Sequence, residues 1–224
     1  MNSIEQNLKL VRENAAQAAQ KYHRDPNAIT LVAVSKNHSI AAIKTAAQCG
    51  QKNFGENRVQ EAIPKIEALK TYNLVWHYIG RIQSNKAKLI ARNFDWVHSV
   101  ARLDIAELLN AYRPVDLPPL NICIQTNLDA EPSKDGIAIA DLAPLVHAIV
   151  KLPHLKLCGL MTIPAPSKNF DHQFETFKKL ADAAKNLAPN PPLQLSMGMS
   201  DDYVAAIAAG ATIIRIGTAI FGTR

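Results

Sequence analysis

Lys36 closes the segment VAVSK (32–36), just beyond the most apolar, β-branched run in the chain. A lysine at the inner end of such a run loses solvent, and desolvation or neighbouring cations lower its pKa and free a lone pair for attack on a carbonyl. The alternative is a side chain that snorkels outward into water. A second group of residues suits an anion. In LSMGMSDD (195–202), Gly198 lets a backbone approach a ligand, and Ser200 is placed as the N-cap before Asp201, Asp202 and the helical YVAAIAA. Unpaired amides and the helix dipole make such a turn a phosphate site, although Asp201 and Asp202 could satisfy an ordinary cap without a ligand. Gly217 and Thr218 follow the last apolar run. Within ATIIRIG, strand alternation puts Arg215 on the same side as Ile213 and Gly217. If that side is interior, the guanidinium needs a ligand acceptor or a carboxylate, the structural alternative being a buried ion pair.

Other residues carry less. His77 and His98 lack a third metal ligand at a recognisable spacing and read as satisfied core or rim histidines. Glu56 is a general base or the partner of Arg58 or another loop cation. Asn57 and Arg58 share its loop. The loop 127–139 carries Ser133-Lys134-Asp135-Gly136, is polar and reads as mobile, with Lys134 solvated rather than catalytic. No nucleophile-elbow, Walker or dinucleotide fingerprint is present.

The elements that must position these groups follow from periodicity. Short apolar runs at 29–34, 52–54, 74–79, 94–98, 120–126, 156–160, 193–196 and 212–216 predict eight strands, with helical patterns between most of them. Alternation of this kind implies a parallel sheet, either a (β/α)8 TIM barrel or a large doubly wound sheet. The first strand is followed by SKNHS, without the glycines of a doubly wound nucleotide turn, which favours the α/β barrel. Ahead of it, Ser3 and Gln6 form a capping box opening an amphipathic helix, so residues 1–25 are expected to pack on the barrel within a single domain, 1–224. In a barrel the strand ends converge on one mouth and the seventh and eighth loops share a phosphate site. Lys36, Asn57, Ser200, Arg215, Gly217 and Thr218 all fall at such ends.

Composition narrows the classes. The chain has 224 residues, 48% of them hydrophobic and 20% charged, enough for a large core. Its net charge of +6 comes without a long basic cluster, so a small anion is favoured over nucleic acid as a partner. No apolar run reaches the roughly 20 residues of a membrane span, and the amino terminus lacks a signal-peptide stretch. Three scattered cysteines (Cys49, Cys123, Cys158) fit reduced thiols, and a cytoplasmic location is expected.

Taken together, VAVSK (32–36), FGENRVQE (54–61), WHYIGRIQSNK (76–86), HSV (98–100), GLMTIP (159–164), LSMGMSDD (195–202) and RIGTAIFG (215–222) closely resemble the pyridoxal phosphate homeostasis proteins, the YggS/PROSC-type family. The resemblance implies a fold type III barrel like the amino-terminal domain of alanine racemase, with pyridoxal 5′-phosphate (PLP) held on Lys36 as a Schiff base. It further implies Arg215 at the pyridine nitrogen, Ser200, Gly217 and Thr218 at the phosphate, and Asn57 against the ring. An arginine at that nitrogen leaves the ring a weak electron sink, and the chain ends at Arg224, without the domain from which racemases draw a tyrosine base. The implied role is a carrier and buffer of PLP in vitamin B6 homeostasis, a monomer or weak homodimer that passes the cofactor to PLP-dependent apo-enzymes. The competing readings are a racemase-like enzyme acting on amino acids and an aldolase using Lys36 on a sugar phosphate. Two positions depart from related patterns: no tyrosine follows Lys36 closely, and Arg81 adds a charge near the mouth.

Overall fold

The computed structural model describes residues 3–129, 135–187 and 191–222. Helix α1 (Ile4–Lys21) starts with the expected box: Ser3 Oγ accepts the Gln6 amide at 3.2 Å and Gln6 Oε1 accepts the Ser3 amide at 3.0 Å. Its apolar stripe buries Leu8, Val11, Ala15, Ala18 and Ala19.

Beyond it, strands and helices alternate as β1 (Thr30–Val34), α2 (Ile40–Gln48), β2 (Asn53–Glu56), α3 (Val59–Ala68), β3 (Val75–Tyr78), α4 (Ala87–Asn93), β4 (Trp96–Val100), α5 (Leu103–Tyr112), β5 (Leu120–Thr126), α6 (Leu142–Ile149), β6 (Leu155–Thr162), α7 (Phe170–Asn186), β7 (Gln194–Ser196), α8 (Tyr203–Ala208), β8 (Ile213–Ile216) and α9 (Thr218–Phe221). All eight strands close into one parallel barrel in sequence order, β8 returning to β1 through Thr30↔Ile213 and Val32↔Arg215. Both faces of such a sheet are covered, which explains the unbroken apolar runs in the sequence. Helix α1 lies outside this ring against α2, α8 and α9, where Asn7 Nδ2 donates to Ile220 O at 3.0 Å. Among the described residues no helix is long and apolar enough to cross a membrane.

Alternation along β2 sets two environments that matter below. Asn53 and Gly55 face the barrel interior, and Phe54 and Glu56 face the helices. Phe54, Phe94 and Phe177 are fully buried in that outer layer, each stabilising the fold by about 2 to 3 kcal/mol. The expected strand boundaries hold to within two residues at most ends. β4 lies two residues later than expected at both ends, and β2 runs on to Glu56, whose carboxylate a partner from α3 neutralises inside the wall.

Candidate functional site

At the carboxyl ends of the strands opens a cavity of about 620 Å³, and Lys36, Asn57, Ser200, Arg215, Gly217 and Thr218 all line it, with Val34, His38, Gly80 and Met199 among its other walls. The six residues singled out in the sequence therefore meet in one place. Gly80 has a packing reason to be glycine, since a Cβ there would run into the Asn57 backbone.

Lys36 is held from behind. The Lys65 ammonium, on α3, donates to Ser35 O at 2.9 Å, Glu56 Oε1 at 2.8 Å and Glu61 Oε1 at 2.6 Å. Ser35 Oγ also donates to Glu56 Oε1 at 2.6 Å, and the Asn37 amide donates to Glu61 Oε1 at 2.6 Å. Both neighbours of Lys36 are thus tied to one cluster, and Asn37 takes a left-handed φ of 62° that asparagine tolerates. Burial pushes the Glu56 carboxyl above its usual pKa, against the pull of Lys65 and Ser35. At Glu61 burial also pushes upward, but Lys65, the Asn37 amide and Arg58 together bring it below the usual value. Glu56 is accordingly no general base at the mouth and not the partner of a loop cation: its side chain is fully buried and its partner comes from a helix.

Arg215 does point into the interior, 4% exposed. Its Nη1 donates to Ser196 Oγ at 2.7 Å and its Nη2 to Thr162 O at 2.9 Å. Among the described residues no carboxylate lies within ion-pair distance of it, so the structural alternative of a buried ion pair is set aside. Burial draws its pKa down to about 10, with Asp202 and Cys123 opposing. Beneath it, His98 Nδ1 meets Ser196 Oγ at 2.7 Å, His98 Nε2 meets His77 Nδ1 at 2.9 Å, and His77 Nε2 meets Asn53 Oδ1 at 2.9 Å. Burial holds the His77 pKa down at about 3 and that of His98 well below its usual value, the latter helped by His77 and Arg215. Both imidazoles are neutral core groups, in line with their reading as satisfied histidines, and no cluster among the described residues could hold a metal ion.

The β7–α8 turn corrects one expectation. Asp202, not Ser200, stands at the N-cap of α8, and its carboxylate takes the Met199 amide. Ser200 is left in the turn as part of the cavity wall. Gly198 has φ 94° and a Cβ there would strike Ala206, so the turn and the seating of α8 both require glycine. Arg81 lines a separate cavity of about 530 Å³ with Arg102, Gln125 and Asp135. Its Nε lies 3.3 Å from Asp135 Oδ1. Lys134 lies outside the described residues.

Lys65 was not legible as functional, and Ser196 and Thr162 were legible only as residues at strand ends, without a role. Lys65 with Glu61 four residues earlier looks like a surface helix pair. The one available sign was Glu56, an acid ending an apolar strand, which demands a buried cation.

The family model for the alanine racemase N-terminal domain matches residues 6–224. The chain is 50% identical to the pyridoxal phosphate homeostasis protein of Escherichia coli K12, covering 100% of this chain and 98% of that one. The structure of PipY from Synechococcus elongatus PCC7942 with PLP bound superposes with a TM-score of 0.86 at 36% identity, covering 98% of this chain and 100% of that one. Alanine racemase from Corynebacterium glutamicum shares the fold at a TM-score of 0.67 and 17% identity, over 97% of this chain and 61% of that one. On the family model and the full-length identity, this chain belongs to the pyridoxal phosphate homeostasis proteins, a family built on the barrel of the alanine racemase N-terminal domain.

Proposed function

We propose that the protein binds pyridoxal 5′-phosphate in the mouth cavity through Lys36 and acts, as a single unit over residues 1–224, as a cytoplasmic carrier and buffer of that cofactor. The observation that carries this reading is the meeting of an amine, an anion cradle and a lone buried guanidinium around one cavity. The bound cofactor would supply an aldehyde that a primary amine captures reversibly with loss of water. Lys36 is the amine, and its backbone is fixed on both sides by the Lys65 cluster.

The cavity walls fit the rest of such a molecule. Ser200 offers a hydroxyl beside Gly217 and Thr218, where the chain enters the single turn of α9, and these three would hold a phosphate. Asn57, in the cavity wall, would stand against the ring. Arg215 carries only donors, so it can bond a ring nitrogen only while that nitrogen is unprotonated and accepts. The names of the relatives and the PLP-bound PipY structure support the same ligand. Release to PLP-dependent apo-enzymes, by a monomer or weak homodimer, completes the proposal.

The test is an absorption spectrum of the purified protein after addition and dialysis of PLP. The wild type is expected to keep a visible band that Lys36→Ala lacks, with negligible exchange of amino-acid α-hydrogens in deuterated water. A colourless wild type sinks the binding reading, and rapid α-hydrogen exchange replaces the carrier with an enzyme.

A further inference from the structure

The barrel interior holds a run of hydrogen bonds that cofactor binding alone leaves without a task. It passes from Arg215 on β8 through Ser196 on β7, His98 on β4 and His77 on β3 to Asn53 on β2, in steps of 2.7, 2.7, 2.9 and 2.9 Å. Ser196 and His98 are 0% exposed and His77 is 1% exposed.

One end of this run fixes the position of every proton in it. A guanidinium donates and never accepts, so Ser196 Oγ accepts from Arg215. The hydroxyl proton of Ser196 then goes to His98 Nδ1, the other partner of Ser196 Oγ among the described residues. His98 must carry its own proton on Nε2 and give it to His77 Nδ1, and His77 must carry its proton on Nε2 and give it to Asn53 Oδ1. The reversed order would bury the serine proton without an acceptor, which disfavours it by about tenfold or more. Each proton is therefore directed away from the mouth.

We propose that Ser196, His98 and His77 are positioning residues that hold Arg215 as a fixed donor toward the ring nitrogen of the bound cofactor, so that the run passes no proton to that nitrogen. This rests on the reading of the cavity as a PLP site. Thr162 O takes Nη2 while Ser196 takes Nη1, so acceptors on two strands hold the guanidinium in place. Both acceptors are neutral, and the charge of Arg215 stays available to the cavity it lines. The titratable groups nearest the run are Asp202 and Cys123, which act on Arg215, with Trp96 closing the histidines from below. The Asp202 carboxylate is occupied by the Met199 amide.

Two measurements on the full chain test this. Protein labelled with 15N-histidine and free of cofactor should show His77 and His98 neutral at neutral pH, each with its proton on Nε2; a proton on His98 Nδ1 overturns the assigned order. Cofactor labelled with 15N in its ring should report an unprotonated nitrogen in the wild type across neutral pH. In Ser196→Ala and in His98→Gln the nitrogen should begin to take a proton in that range and the cofactor should leave about tenfold faster, while Ser196→Thr, which keeps a hydroxyl, should restore both. Normal uptake with an unchanged ring signal and release rate in folded Ser196→Ala overturns the role of the run alone. A wild type that takes up no cofactor overturns the binding reading and this role with it.

Discussion

Two polar networks flank the candidate site, and they hold their functional groups by opposite means. Behind Lys36, the cluster of Lys65, Glu56 and Glu61 uses full charges in the layer between wall and helix. Beneath Arg215, the run through Ser196, His98 and His77 uses neutral partners inside the barrel. Within that run Arg215 carries the charge, and it lines the cavity. Where a backbone must be pinned, ions serve, because the outer layer can supply a matched set. Where a charge must remain active, neutral groups serve, because a carboxylate partner would cancel it.

The largest effect should come from breaking the charged network. Lys65→Met leaves Glu56 buried without its cation and removes the partner of Ser35 O, so urea unfolding at neutral pH should show a loss of about 3 to 5 kcal/mol. The loss should shrink in acid as Glu56 takes a proton, and covalent capture by Lys36 should slow. A change under about 1 kcal/mol would mean that the cluster is no better than a surface pair.

The neutral network should reveal itself through pH. The unfolded chain protonates a histidine near its ordinary value, whereas folded His77 resists until about 3. The unfolded state thus binds more protons below about pH 6.5, and stability falls as pH drops through that window. For His77 alone the loss by pH 5 is about 2 kcal/mol. Urea midpoints at pH 7.5 and 5 should diverge in the wild type and diverge less in His77→Gln, where buried His98 still contributes. Equal divergence in both would contradict the neutral assignment.

The smallest effect should be at the rim. Arg81 pairs with Asp135 while 79% of its side chain is exposed, so Arg81→Ala should shift stability by less than about 0.5 kcal/mol. A larger loss would place Arg81 with the buried clusters.

The barrel and its mouth were legible because both follow from local pattern. Apolar runs such as ITLVAV mark strands covered on both faces, and strand ends mark the mouth, so six separate residues could be placed around one cavity. The networks were not legible because they depend on register across the closed sheet. Ser196 lies 98 residues from His98, and no spacing along the chain announces their bond. The cap of α8 failed for a different reason. Ser200, Asp201 and Asp202 are all residue types that cap helices, yet α8 starts after Asp202, whose carboxylate takes the upstream Met199 amide and no amide of the helix.

The most direct test of the central claim is a peptide map of the protein mixed with PLP and reduced with borohydride. The pyridoxyl group should appear on the peptide carrying Lys36 and vanish in Lys36→Ala. Labelling spread over other lysines, or none at all, would contradict the assignment of Lys36 as the amine that holds the cofactor.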